Sequence, residues 1–137
     1  MARHRRIIFI IVSGICLAIF HYFANIYSWY WLFTPSDLIV HWFAGMWAVF
    51  LMHYFATKTG LVEEHNPGLL MALFWGALLI GILWELFEVS SGVIRVTYEY
   101  PGDTFFDLLM DMVGAGMAVS YLRSKLKNLS ALEKNKK

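Results

Sequence analysis

Hydrophobic positions fall along this chain in four long blocks, from Ile7 to about Tyr27, Leu38 to Ala56, Leu69 to Val89 and Thr104 to Leu122. Each block is close to the 20 or so apolar residues that a helix needs to cross the hydrocarbon core of a bilayer. The breaks between them carry turn and helix-start chemistry. Pro35-Ser36-Asp37 precedes the second block, Asn66-Pro67-Gly68 the third and Pro101-Gly102-Asp103 the fourth, each offering a side chain that can cap a helix. The pattern predicts an all-α integral membrane protein, a four-transmembrane-helix bundle forming one domain over residues 1–137, with a basic tail from Arg123 onward.

Composition strengthens that reading. Of 137 residues, 59% are hydrophobic, 18% aromatic and only 15% charged. A soluble domain of this size leaves too much surface in water to hide so many apolar side chains. The net charge of +1 gives no reason to expect a nucleic-acid partner. Cys16 is the one cysteine, so no intrachain disulfide forms, and no zinc-type Cys/His cluster is present.

The placement of charge says more than its sum. If the N-terminus is cytoplasmic, Arg3, Arg5, Arg6, Lys58, Arg123, Lys125, Lys127, Lys134, Lys136 and Lys137 all fall inside, and only Arg95 falls outside. That bias places both termini in the cytoplasm. Tyr27, Trp29, Tyr30, Trp31 and Phe33 form an aromatic belt where the first block leaves the membrane. No A-x-A-like site follows the first block, which is expected to stay as a span rather than be cleaved.

Ionisable residues inside spans are costly and therefore informative. His21 lies in the first block and His41 near the start of the second; Glu85 and Glu88 close the third; Asp103, Asp107 and Asp111 open the fourth. At 1.5 Å rise per residue, His41 and Asp107 sit roughly 5 Å below the outer surface and Asp111 roughly 11 Å below it. Glu88 is at the rim, Glu85 roughly 6 Å down and His21 roughly 9 Å down. Four helices thus bring polar groups to one layer, the outer half of the membrane. Asp103, Asp107 and Asp111 share one helix face, as do Glu85 and Glu88. Gly45, Gly81 and Gly114 continue those faces toward the cytoplasm and allow close helix approach. The expectation is a tight inner bundle flaring into an acidic pocket open to the outside.

No Lys or Arg lies in the four blocks to neutralise these carboxylates. They must hold protons, take up a cationic ligand, or bind one or two divalent metal ions with His41 or His21 as nitrogen ligand. The candidate metal ligands are His41, Glu85, Glu88, Asp103, Asp107 and Asp111, and the candidate catalytic set is His41, Glu85 and Asp107. The blander reading makes Asp103 a helix cap, lets Glu88 reach water and makes His21 a structural residue. His53, Glu63 and Glu64 are read as solvated on the inner side. The β-prone stretch from Val93 to Tyr100, which holds Arg95 and Tyr98, is either an ordinary loop or a lid over the pocket.

These residues in this order carry a resemblance. His41 to Gly45, Trp84-Glu85-x-x-Glu88 and Gly102-Asp103-Thr104-x-x-Asp107-x-x-x-Asp111-x-x-Gly114-Ala115 together resemble the YjdF-like bacterial inner-membrane proteins, over roughly residues 36 to 120. The resemblance implies a small helical protein of the bacterial inner or plasma membrane and names no activity. The fourth block also resembles VanZ-like membrane proteins, with Asp111 where those chains favour Asn. The Asp107-x-x-x-Asp111 pair invites comparison with CDP-alcohol phosphotransferases, but their upstream Asp-Gly-x-x-Ala-Arg segment is missing.

Three functions stand open on this reading. One is a metal-dependent enzyme acting on a membrane lipid or a lipid-linked envelope precursor. Another is a proton- or cation-binding transporter or sensor, for which four helices require a homo-oligomer. The third is a structural or assembly subunit whose polar cluster fixes helix packing.

Overall fold

A computed structural model of the chain describes residues 2–33, 35–60, 66–92 and 100–134. Among the described residues five helices follow one another: α1 (Ala2–Ile26), α2 (Trp29–Leu32), α3 (Pro35–Lys58), α4 (Pro67–Ser91) and α5 (Tyr100–Lys134). All except the single turn of α2 are long and apolar enough to cross a membrane, and no strand occurs among the described residues. Hydrocarbon offers a backbone no hydrogen-bond partner, so a spanning segment must satisfy itself, as a helix does. The surface is apolar all round: Phe9, Met71, Leu86 and Phe105 are each at least 60% exposed. Lipid, not water, suits such a surface.

Each expected block lies within one helix, apart from Tyr27 in the turn after α1, and the helices overrun the blocks. α5 continues well past Leu122, because the polar segment after it is rich in Lys and Leu, good helix formers. Its 35 residues reach about 52 Å, against roughly 30 Å of hydrocarbon.

The helix starts follow expectation at one break and depart from it at two. Asn66 caps α4, its Oδ1 accepting from the Gly68 backbone N–H at 2.8 Å, with Pro67 at the first helical position. Replacing Asn66 with Ala is expected to remove about 1 kcal/mol, read as a lower unfolding midpoint in detergent. At the far end of α4, Gly92 takes φ 73°, a conformation glycine accepts without strain, and its N–H donates to the Glu88 and Val89 carbonyls. Before α3 and α5 the expected caps are instead helical. α3 begins at Pro35, so Asp37 lies in its first turn, and α5 begins at Tyr100, so Asp103 also lies in a first turn rather than capping it. Proline fits a first turn because the N–H it lacks has no intrahelical partner there. Both carboxylates still face the positive end of a helix dipole.

α3, α4 and α5 form the core, packing Ala48 and Val49 against Leu69, Leu73 and Ala77 and against Ala115, Ala118 and Leu122. α3 and α5 meet most tightly. A Cβ placed on Gly45 would overlap the Asp111 carbonyl oxygen, and one on Gly114 would overlap the Trp42 carbonyl oxygen. Two of the small-residue positions singled out in the sequence, Gly45 and Gly114, are thus where two helix backbones touch, while Gly81 makes room for the Asp111 side chain. α1 stands apart, its backbone close to α2 and α3 but not to α4 or α5. It is pinned to α3 by Trp47, whose indole N–H donates to the Ile10 carbonyl at 2.8 Å while the ring lies against Gly14. The helices alternate in direction: the ends of α1 and α4 lie beside the starts of α3 and α5.

Candidate functional site

The ionisable residues gather at that shared end, where α1 and α4 finish and α3 and α5 begin. His41, on the second turn of α3, stands at the centre and is only 5% exposed. Its Nδ1 lies 3.3 Å from Asp111 Oδ2 on α5. Its Nε2 faces Glu85 Oε1 of α4 at 3.8 Å and Asp37 Oδ1, four residues earlier on its own helix, at 4.0 Å. One ligand atom each from Asp37, His41 and Asp107 fall within 4.8 Å of one another, a group able to hold a metal ion.

The four carboxylates Glu85, Glu88, Asp107 and Asp111 are buried, with no more than 4% of any of them exposed. The pocket expected to open outward is therefore closed over, and Glu88 does not reach water. Asp111 fits against two neighbours at once, since its Oδ2 faces His41 and also occupies the space that a side chain on Gly81 would fill. Glu85 Oε2 accepts from the Thr104 hydroxyl at 2.8 Å. Glu85 Oε1 and Asp107 Oδ1 are buried without a hydrogen-bond partner. A buried carboxylate oxygen left unpaired is strongly unfavourable unless something compensates it. The described residues of all four long helices at this level include no Lys or Arg.

A second set joins α1 to α4. His21 Nε2 lies 3.4 Å from Glu88 Oε1, its Nδ1 lies 2.9 Å from the Tyr30 hydroxyl on α2, and Trp84 packs edge-on against its ring. Burial pushes the Tyr30 phenol above its ordinary range, and the charges of Asp37, Glu88 and Asp107 act in the same direction. Tyr30 therefore keeps its proton, and Nε2 of His21 faces both the Asn25 amide nitrogen, at 3.0 Å, and Glu88. The Asn25 amide lies beside the ring and donates to the His21 backbone carbonyl at 3.1 Å.

Of the residues singled out in the sequence, His41, Glu85, Asp107 and Asp111 come together, and Glu88 pairs with His21 one turn away along α4. Asp103 stands exposed, one turn before Asp107. Sequence reasoning passed over Asp37, read only as turn chemistry, although its spacing of four from His41 puts both on one helix face. Thr104 and Tyr30 were also missed. His53, read as solvated, is only 9% exposed, and lies at the opposite end on the wall of the wedge between α1 and α5. Glu63, Glu64, Arg95 and Tyr98, with the lid considered for the last two, lie outside the described residues.

Fold and cluster together define a multi-pass membrane protein with an acid–imidazole cluster buried at one end of its bundle. Residues 4–128 match the family described as "Predicted membrane protein (DUF2238)", and the chain belongs to that family, the YjdF family. It is also 24% identical over 97 residues to an uncharacterized protein of Thermotoga maritima. The matched segment covers 69% of this chain and 47% of that protein, so the chain spans about half the length of the relative it matches. No solved structure matches the chain.

Proposed function

We propose that the buried cluster binds a divalent metal ion through Asp37, His41 and Asp107, with Glu85 beside them, and that the protein is a metal-dependent enzyme acting on a lipid or lipid-linked envelope substrate. One observation carries the reading: Asp107 and Glu85 each bury a carboxylate oxygen with no hydrogen-bond partner, next to the Asp37–His41–Asp107 group. A cation placed there would compensate both oxygens. Asp111 accepting from His41 Nδ1 leaves the Nε2 lone pair facing the acids, the arrangement by which a carboxylate orients a metal-binding imidazole. Oxygen-rich donors with one imidazole suit magnesium, manganese or zinc. The metal would polarise a substrate oxygen or activate a water, and Glu85 would take the proton.

The substrate class rests on the surroundings. An apolar slot of about 270 Å³ runs between α1, α3 and α4, past Gly14, Ala18 and Ala77, and ends at His41 and Asp111. Its shape and lining suit a hydrocarbon chain with its polar head at the cluster. With the basic termini inside, the cluster sits at the level of the outer leaflet. Transport has weaker support, because the core between the cluster and the other end is built of Ala48, Val49, Leu73, Ala77, Ala115 and Ala118, which offers no polar path.

Elemental analysis of protein purified without chelator is expected to find about one metal ion per chain. Treatment with a chelator should remove it and lower the unfolding midpoint, since a ligand that binds only the folded form stabilises it. Metal-free protein whose stability is unmoved by added magnesium, manganese or zinc would count against the proposal.

A further inference from the structure

The opposite end of the bundle holds a larger cavity that the cluster does not explain. It measures about 900 Å³ and opens between the start of α1 and the ends of α3 and α5. It exists because the backbone of α1 comes close to α3 but not to α5, which leaves a wedge between α1 and α5. Its walls are of two kinds. Arg5 and Arg6 of α1 and Lys125 of α5 bring positive charge to it, while Phe9, Phe50 and Leu126 supply an apolar side. No Asp or Glu is among the described residues lining it.

We infer that this wedge is a binding site for an anionic glycerophospholipid, its phosphate held by Arg5, Arg6 and Lys125 and its acyl chains lying on the apolar wall. Basic pockets between transmembrane helices are suited to acidic lipid head groups. Arg adds a planar fork of donors that matches phosphate oxygens. Position along the helices agrees. Arg5 and Arg6 stand one turn before Phe9 and Ile10, so charge lies at the membrane edge and apolar surface lies deeper. The volume favours a lipid over a free anion, because it falls within the range of sites that enclose whole ligands. Tyr54 and Tyr121, also on the wall, supply amphipathic rings of the kind found at head-group depth. The site is distinct from the acidic cluster and does not depend on its metal.

Native mass spectrometry of the full chain, released from detergent after equilibration with lipid, tests this. The probes are phosphatidylglycerol and phosphatidylcholine with identical acyl chains, and inorganic phosphate. The expected result is retention of one phosphatidylglycerol in clear preference to phosphatidylcholine. Apparent affinity should fall about fivefold for each charge removed by Arg5→Gln, Arg6→Gln or Lys125→Gln. Arg123→Gln, two residues from Lys125 and so on another face of α5, removes the same charge outside the cavity and should leave binding unchanged. Equal retention of the two lipids would overturn the inference. So would an Arg123→Gln loss as large as that of Lys125→Gln, which would show surface charge acting without a site. Displacement of the lipid by inorganic phosphate at equal concentration would mark a small-anion site instead.

Discussion

Gly114→Ala is expected to destabilise the folded bundle by about 3 kcal/mol, the upper part of the range for overpacking. The added methyl would meet the Trp42 carbonyl, and a backbone group on a packed helix cannot swing aside. Relief requires α3 and α5 to separate, and the same separation moves Asp111 away from His41. Two other glycines provide the contrast. At Gly116 the nearest atom to a new Cβ is a Phe74 ring carbon at 3.9 Å, an ordinary contact, so Ala is accommodated and removes the helix penalty of glycine. At Gly76 the obstacle is the Met52 sulfur at 2.9 Å, part of a flexible side chain that can turn away. Unfolding of the three variants in mixed detergent should therefore show a large loss for Gly114→Ala and small changes for the other two. Equal effects would mean that the α3–α5 contact is looser than described.

Asp107→Asn should lower metal affinity by about a hundredfold or more, since it removes a charged ligand rather than an orienting group. Its effect on the metal-free protein should be opposite in sign or nil. Asp107 is 2% exposed and carries an oxygen with no hydrogen-bond partner, so neutralising it relieves a buried charge. A functional site and a structural one predict different pairs of outcomes here. If the cluster serves only to hold the helices together, Asp107→Asn lowers stability with or without metal. Asp111→Asn tests the other half of the argument. It leaves the Asp37–His41–Asp107 group in place but weakens the hold on His41 Nδ1, and should lower affinity about tenfold to a hundredfold. Calorimetric titration of each purified variant with manganese reads both numbers.

The four spans were legible because a bilayer admits so few backbone solutions: a block of 20 apolar residues flanked by Pro, Asn and Gly can hardly be anything but a helix. The meeting of Glu85, Asp107, Asp111 and His41 was legible for a related reason. Alternating helices of similar length convert position in the chain into depth, and i, i+4 spacing converts it into direction. What stayed hidden depended on lateral arrangement, which sequence spacing does not encode. The standing-apart of α1 sets the lipid-sized wedge and the narrower slot, yet nothing in its own apolar sequence distinguishes it from α4. The burial of the carboxylates was missed for the same reason, since depth alone does not tell how closely neighbours cover a side chain. Asp37 and Asp103 were misjudged by a few residues at helix starts, where proline is equally at home just before a helix and just inside one.

Asp111 presents its carbonyl to Gly45 and its carboxylate to His41 on α3, and the same carboxylate to Gly81 on α4. A residue so meshed acts as a detent. Sliding α5 by one residue, about 1.5 Å, would drive it out of all three seats together. Bundles commonly answer a thicker or thinner bilayer by tilting or shifting individual helices. Here α3, α4 and α5 must tilt as one block, so the height of His41 relative to its acidic neighbours is insulated from the thickness of the membrane around it.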